Sequence, residues 1–64
     1  MMKRRDLLAL ITRHARALNL EISLSEGGSH TKVTVGHKRT VVPRHSEIND
    51  RTARAILGQL GIER

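Results

Sequence analysis

Four histidines are the residues of this chain best suited to move protons near neutral pH: His14, His30, His37 and His45. An imidazole titrates close to neutral pH, so it can act as a general acid or base. Histidine is also a common metal ligand, but these four lie sixteen, seven and eight residues apart in a chain without cysteine, which matches no metal-binding pattern. We therefore expect no metal site and no cofactor.

His30 has the most distinctive sequence context of the four. It follows Gly27, Gly28 and Ser29. Because glycine has no side chain, this segment would let another backbone, such as that of RNA, approach the imidazole closely. Gly28 and Ser29 are therefore candidate RNA contacts. From spacing alone, a histidine on a polar strand face without any catalytic role is the simpler interpretation.

Strand periodicity predicts where the neighbours of His30 point. Side chains alternate along a strand, so His30 should share a solvent-facing side with Lys32, while Val33 and Val35 point to the other side. Lys32 would lie about 7 Å from His30 along the strand and could hold a phosphate as a point charge. By the same alternation, Ser29 should point away from His30. The expected chemistry is proton abstraction from a ribose 2′-hydroxyl by His30.

A second polar segment, residues 43–46, leads into the last predicted helix. Arg44 can bind a phosphate in a bidentate manner, since its guanidinium presents a planar fork of donors. His45 is either a second proton-transfer group or a loop histidine that contacts a helix end. His37, at a predicted hairpin tip, and His14, in the first predicted helix, are interpreted as ordinary surface residues.

The composition indicates a polyanionic partner. The chain has twelve Lys and Arg residues and six Asp and Glu residues, which gives a net charge of +6. A chain this small and basic attracts phosphate backbones, although such a charge can also serve solubility alone. The absence of Phe, Tyr and Trp argues against the stacking used by most readers of single-stranded bases, so contacts to phosphate and ribose are favoured.

The length of 64 residues predicts a single domain, residues 1–64. Its stability should be small, about 3–5 kcal/mol from a single core. No apolar run approaches the roughly 18 residues that a membrane span requires, and charged or polar residues interrupt the N-terminal apolar stretch. We therefore expect a cytoplasmic protein that does not insert into a membrane.

Hydrophobic periodicity predicts the elements that must position these side chains. Helical spacing of apolar residues covers residues 4–18, and alternation indicates strands at about 20–25, 31–35 and 39–42. Turns are expected at Glu26-Gly27-Gly28 and at Gly36-His37, and a last helix should run from an Asn49 cap to Gly61.

The predicted fold class is α+β, in the order α-β-β-β-α. Short turns favour a three-stranded antiparallel sheet with two helices packed on one face and the other face in solvent. The sheet residues expected beneath the helices are Leu20, Ile22, Leu24, Val33 and Val35.

Six short motifs are spread along nearly the whole chain: Asp6-Leu7-Leu8, Gly28-Ser29-His30, Val33-Thr34-Val35, Val42-Pro43-Arg44-His45, Thr52-Ala53-Arg54-Ala55-Ile56-Leu57 and Leu60-Gly61-Ile62. In this combination the chain resembles the HicA (YcfA-like) toxin family. The resemblance implies a fold like that of a double-stranded-RNA-binding domain. It also implies an mRNA interferase in which the histidine of the Gly-Ser-His step, here His30, is required for cleavage, and a cognate HicB-type antitoxin that covers the active site.

Two other functions remain open from the residues alone. The same fold and charge would suit an RNA-binding module without catalysis, which grips phosphates and depends steeply on salt. A DNA-binding regulator is a third interpretation, because Arg51 and Arg54 lie near the start of the last predicted helix. That helix is preceded by strands and not by the first helix of a helix-turn-helix pair, which argues against it.

Overall fold

The computed structural model of the chain describes residues 1–62. Its elements are β1 (Met2–Lys3), α1 (Arg4–Ala17), β2 (Ile22–Gly27), β3 (His30–Val35), β4 (Lys38–Pro43), β5 (Glu47–Ile48) and α2 (Asp50–Gln59). β2, β3 and β4 form an antiparallel sheet in that order, and β1 pairs with β5 in a separate two-stranded ladder. The predicted α+β class, with its α-β-β-β-α order and three-stranded antiparallel sheet, is confirmed. The short β1–β5 ladder was not predicted.

The core lies between the two helices and one face of the three-stranded sheet. α1 buries Leu7, Ile11 and Ala15, which recur every four residues and therefore form one stripe. The sheet contributes alternate residues of β3 and β4, and α2 contributes its own apolar stripe: Thr31, Val33, Val35, Thr40, Val42, Ala53, Ile56 and Leu57. In residues 1–62 neither helix has the length and apolar character needed to traverse a bilayer.

The outer strand β2 is less covered than the sequence pattern predicts. Leu24 pairs with Val33 and so belongs to the core face, yet it is 53% exposed, and Leu20 is 41% exposed. Of the five sheet residues expected beneath the helices, Val33 and Val35 are buried and Ile22 is partly buried. The expectation is wrong for Leu20 and Leu24. Leu20 precedes β2 and lies outside the sheet, and the fully buried sheet residues belong to β3 and to β4, the strand against which α2 packs.

The helix ends and the second turn follow the predicted signals. Asn49 caps α2 by accepting a hydrogen bond from the Arg51 N–H at 2.7 Å. Beyond α2, Gly61 adopts a φ of 74°. Gly36, with a φ of 60°, opens the two-residue turn between β3 and β4. The first turn differs from the prediction, since β2 continues through Gly27.

Candidate functional site

The turn between β2 and β3 places His30 at one end of the sheet. It consists of Gly28 and Ser29, and Gly28 has a φ of 35°, in the region that glycine tolerates best. His30 is then the first residue of the central strand, paired with Gly27 on one side and with Pro43 on the other. Its side chain is exposed, as the predicted alternation requires.

Ser29 contacts the imidazole that it was expected to avoid. Its Oγ lies 3.0 Å from Nδ1 of His30. Strand alternation does not apply to Ser29, because the residue lies in the turn and not in β3. In the tautomer that carries its hydrogen on Nδ1, the ring donates to Ser29 and leaves a lone pair on Nε2. Ser29 is thus suited to orient His30 as a proton acceptor.

Lys32 shares the solvent-facing side of the sheet, called the open face here, with His30. It is exposed and pairs with Ser25 of β2 and Val41 of β4. The other residues of this face in the described chain are mainly polar or charged and include Ser23, Thr34 and Arg39. A cation and several hydroxyl groups therefore lie on the same surface as the imidazole.

Arg44 fastens the end of β4 to the turn that carries His30. Its Nη1 donates to the carbonyl of Gly28 at 3.2 Å, and its backbone N–H donates to the carbonyl of Ser29 at 3.2 Å. The side chain remains half-exposed, with Nη2 at 3.7 Å from the Glu26 carboxylate. Arg44 thus lies beside the site as expected, and it also supports the turn, which the sequence did not predict.

Glu26 lies between two guanidinium groups near this turn. The hydroxyl of Thr31 donates to its carboxylate and accepts a hydrogen bond from Arg4, which satisfies that buried hydroxyl. The Glu26 carboxylate also lies 3.7 Å from Arg4 and 3.7 Å from Arg44. The hydrogen bond from Thr31, followed by the charges of Arg44 and Arg4, lowers the pKa of Glu26 despite some desolvation. The carboxylate is therefore ionised at neutral pH.

A second basic surface adjoins Arg44 and was missed by sequence reasoning. This surface, called the basic cleft here, is lined by Lys3, Arg4, Arg5, Arg44, Ser46 and Glu47. The β1–β5 ladder brings the two segments together, since Lys3 pairs with Glu47 and the Arg4 N–H donates to the Ser46 carbonyl at 2.9 Å. The basic run at residues 3–5 was the available signal, but its proximity to Arg44 depends on a two-residue ladder.

The other histidines are distributed over the molecule. His45 is exposed, one residue after Arg44. His37 lies in the second turn, at the opposite end of β3 from His30, and His14 is half-buried in α1. Within residues 1–62 no group of three His, Asp or Glu side chains has the arrangement of a metal site.

The arrangement around His30 can move a proton and bind a phosphodiester. It combines an exposed imidazole, a hydroxyl on its Nδ1 and the neighbouring cations Lys32 and Arg44. Comparisons with models of known protein families, with curated proteins and with solved structures found no match. The function therefore has to be inferred from the residues of the site.

Proposed function

We propose that the chain is a metal-independent endoribonuclease that cleaves mRNA with His30 as its catalytic base. The observation that carries this proposal is the exposed imidazole at the end of the sheet, with Ser29 on its Nδ1 and Lys32 on the same face. A general base must reach the proton it removes, and the exposure of His30 leaves its imidazole accessible to a substrate.

The proposed reaction needs no group beyond the RNA and the side chains of the site. His30 Nε2 takes the proton of a ribose 2′-hydroxyl, and O2′ attacks the adjacent phosphorus. The new O2′–P bond forms as the P–O5′ bond breaks, which yields a 2′,3′-cyclic phosphate and a 5′-hydroxyl. The leaving O5′ takes a proton from a second donor, for which Lys32 and His45 are the candidates. Lys32 and Arg44 stabilise the negative charge that develops on the phosphoryl oxygens.

Recognition in this proposal depends on backbone contacts. The net charge is +6 and the chain has no aromatic residue on which a base could stack. The open face instead offers the hydroxyls of Ser23, Ser25 and Thr34, which suit ribose and phosphate oxygens. Single-stranded RNA fits best, because its backbone can bend so that the 2′-hydroxyl lies in line with the phosphorus.

We propose further that the nuclease is a cytoplasmic toxin of a type II toxin–antitoxin system. Support comes from the resemblance of the Gly28-Ser29-His30 step and the later motifs to HicA toxins. A HicB-type antitoxin would then be the protein partner, and an acidic surface on it would speed association with this basic chain. Induction of the gene in cells should arrest growth, and the His30→Ala form should not.

The direct test is cleavage of an RNA oligonucleotide by purified protein in the presence of EDTA. We expect 2′,3′-cyclic phosphate and 5′-hydroxyl ends. An oligonucleotide with one 2′-deoxyribose at the cleavage position should stay intact at that bond, since it lacks the attacking hydroxyl. Cleavage that depends on a divalent metal, or that proceeds at the 2′-deoxy position, would refute the mechanism. Binding without cleavage at every pH from about 6 to 9, where an ordinary imidazole becomes neutral and able to accept a proton, would identify a non-catalytic RNA-binding module.

A further inference from the structure

The basic cleft gathers four cations from segments far apart in sequence. Lys3, Arg4 and Arg5 come from β1 and the start of α1, and Arg44 comes from the segment after β4. Glu47 is the acidic residue in its lining, and two exposed carboxylates beside it pair with three of the cations: Glu26 with Arg4 and Arg44, and Asp6 with Arg5. Such a surface carries a positive potential that attracts anions, and a cleft with low-dielectric walls concentrates that potential.

Two of the four guanidinium and ammonium groups are fixed by hydrogen bonds within the protein. Arg4 Nε donates to the Pro43 carbonyl at 3.1 Å and Nη2 donates to the Thr31 hydroxyl, and the side chain is only 24% exposed. Arg44 is held by the Gly28 carbonyl. Fixed donors bind a phosphate with less loss of side-chain entropy than mobile ones. Lys3 and Arg5 are exposed and extend the positive surface outward.

The cleft is physically continuous with the end of the sheet that carries His30. Arg44 lines the cleft and bonds to the turn before His30. Pro43, whose carbonyl accepts from Arg4, is the residue paired with His30 across the β3–β4 ladder. Arg4 of the cleft bonds to Thr31, which points to the buried face of the sheet, whereas His30 points to the open face. The cleft and the imidazole therefore lie on opposite sides of the same end of the sheet.

We infer that the basic cleft is a binding subsite for a phosphate that flanks the scissile bond, an inference that rests on the proposed nuclease function. The RNA backbone passes around the end of the sheet, with one phosphate in the cleft and the scissile phosphate near His30 and Lys32. Arg44 connects the two positions, because it lines the cleft and donates a hydrogen bond to the turn that precedes His30. A substrate long enough to fill the cleft is therefore cut more efficiently than one that is too short.

Binding of a non-cleavable 2′-O-methyl RNA oligonucleotide tests the cleft independently of catalysis. The cleft pair, Lys3→Gln with Arg5→Gln, removes two exposed cations from the cleft. The control pair, Arg13→Gln with Arg16→Gln, removes two exposed cations from the far half of α1 and leaves the same net charge. We expect the cleft pair to raise Kd about tenfold and to reduce the slope of log Kd against log salt by about one, with a much smaller change in the control pair. Circular dichroism and thermal melting verify that both pairs are folded.

Catalysis provides the second measurement. The wild type should show a higher kcat/KM on an oligonucleotide than on a dinucleotide with a single phosphodiester, because only the oligonucleotide has a flanking phosphate. The cleft pair should lose most of that preference and the control pair should keep it. Equal losses of RNA binding in the two pairs, or unchanged binding in the cleft pair, would overturn the subsite. A wild type that binds but cuts no RNA would refute the nuclease alone, and the binding comparison would still decide the cleft.

Discussion

The two turns of the three-stranded sheet are similar in length and differ in their surroundings. Each consists of two residues and begins with a glycine of positive φ, Gly28 in the first and Gly36 in the second. The first turn is fastened by Arg44, through its side chain and its backbone. The second is fastened by the Gly36 N–H, which donates to the Glu21 carbonyl at 2.9 Å, and it packs near Leu20.

An exposed histidine lies at each turn, with His30 directly after the first and His37 within the second, so exposure alone does not distinguish a site. His30 has the Ser29 hydroxyl on its Nδ1 and Lys32 on its own face. The lysine that follows His37, Lys38, pairs with buried Val35 and extends over Gly61. His30 is therefore a candidate for catalysis because of the groups around its imidazole, and not because the imidazole is accessible.

The largest expected effect separates the two histidines. His30→Ala should reduce the rate of RNA cleavage by about 10²- to 10⁴-fold, the usual contribution of a general base. The His37→Ala variant should cleave at the wild-type rate, because His37 lies beyond the end of β3 that is opposite to His30. Initial rates on the same RNA oligonucleotide in EDTA measure both.

RNA binding provides the control for this pair, since both variants should bind a 2′-O-methyl oligonucleotide with similar affinity. If His30→Ala cuts as fast as the wild type, or if His37→Ala is equally inactive, the difference between the turns has no catalytic meaning.

The glycines of the two turns should differ in stability and in activity. Gly28→Ala and Gly36→Ala each place a Cβ at positive φ and should lower the free energy of unfolding by about 1 kcal/mol. Gly27→Ala is the matched control, because Gly27 lies in β2 without a positive φ and has nothing within 4 Å of the added Cβ. Only Gly28→Ala should also slow cleavage, since it displaces Ser29 and His30. Urea denaturation and cleavage assays test both; a Gly28→Ala protein as stable as Gly27→Ala would contradict the strained turn.

Much of the fold was predictable because periodicity reports which side of an element is buried. The stripe of Leu7, Ile11 and Ala15 gave α1, and Asn49 marked the start of α2. Alternation predicted the face on which Leu24 lies but not how far it is buried, because burial depends on where the helices pack, and α2 lies against β4, at the opposite edge of the sheet from β2.

The positions of the site residues could be predicted within a strand, where side chains alternate, but not in the turn, because its position depends on how the two strands pair. His30 and Lys32 lie on one face as alternation requires. The first turn was predicted at Glu26-Gly27-Gly28 and lies at Gly28-Ser29, because two adjacent glycines allow more than one turn and the ladder with β3 selects this one. For the same reason the contact of Ser29 with His30 was missed. The cleft depends on a tertiary pairing that no local pattern contains.

A smaller effect should distinguish the hydroxyl of Ser29. Ser29→Ala removes the oxygen 3.0 Å from His30 Nδ1 and should lower kcat about two- to tenfold, as expected for one hydrogen bond of about 0.5–1.5 kcal/mol. Ser29→Thr retains the hydroxyl and should recover most of the rate. Single-turnover kinetics on saturating RNA measure this step without a contribution from binding. Equal losses in the alanine and threonine variants would assign Ser29 to the shape of the turn and not to the orientation of the ring.

The smallest expected effect concerns the acid beside the first turn and depends on pH. The pKa of Glu26 is lowered in the folded chain, so its ionised form contributes stability above the unfolded pKa, and that contribution is lost as the pH falls through the folded value. Glu26→Gln should therefore melt slightly below the wild type at neutral pH, and the difference should shrink in acid. The effect is small because the carboxylate is largely exposed and salt screens it.

Glu21→Gln is the control for this comparison, since within residues 1–62 Glu21 has no cation at ion-pair distance. Melting temperatures of the three proteins, measured from neutral pH down to the region where carboxylates titrate, test this pH dependence. A difference between Glu26→Gln and the wild type that stays constant with pH would show that the charge of Glu26 is not what stabilises the turn. A difference that vanishes in acid would show that the ionised carboxylate of Glu26, beside Arg4 and Arg44, stabilises this end of the sheet. The stability of the first turn would then depend on an ionised acid, whereas the second turn, held by the backbone hydrogen bond from Gly36 to Glu21, would not depend on one.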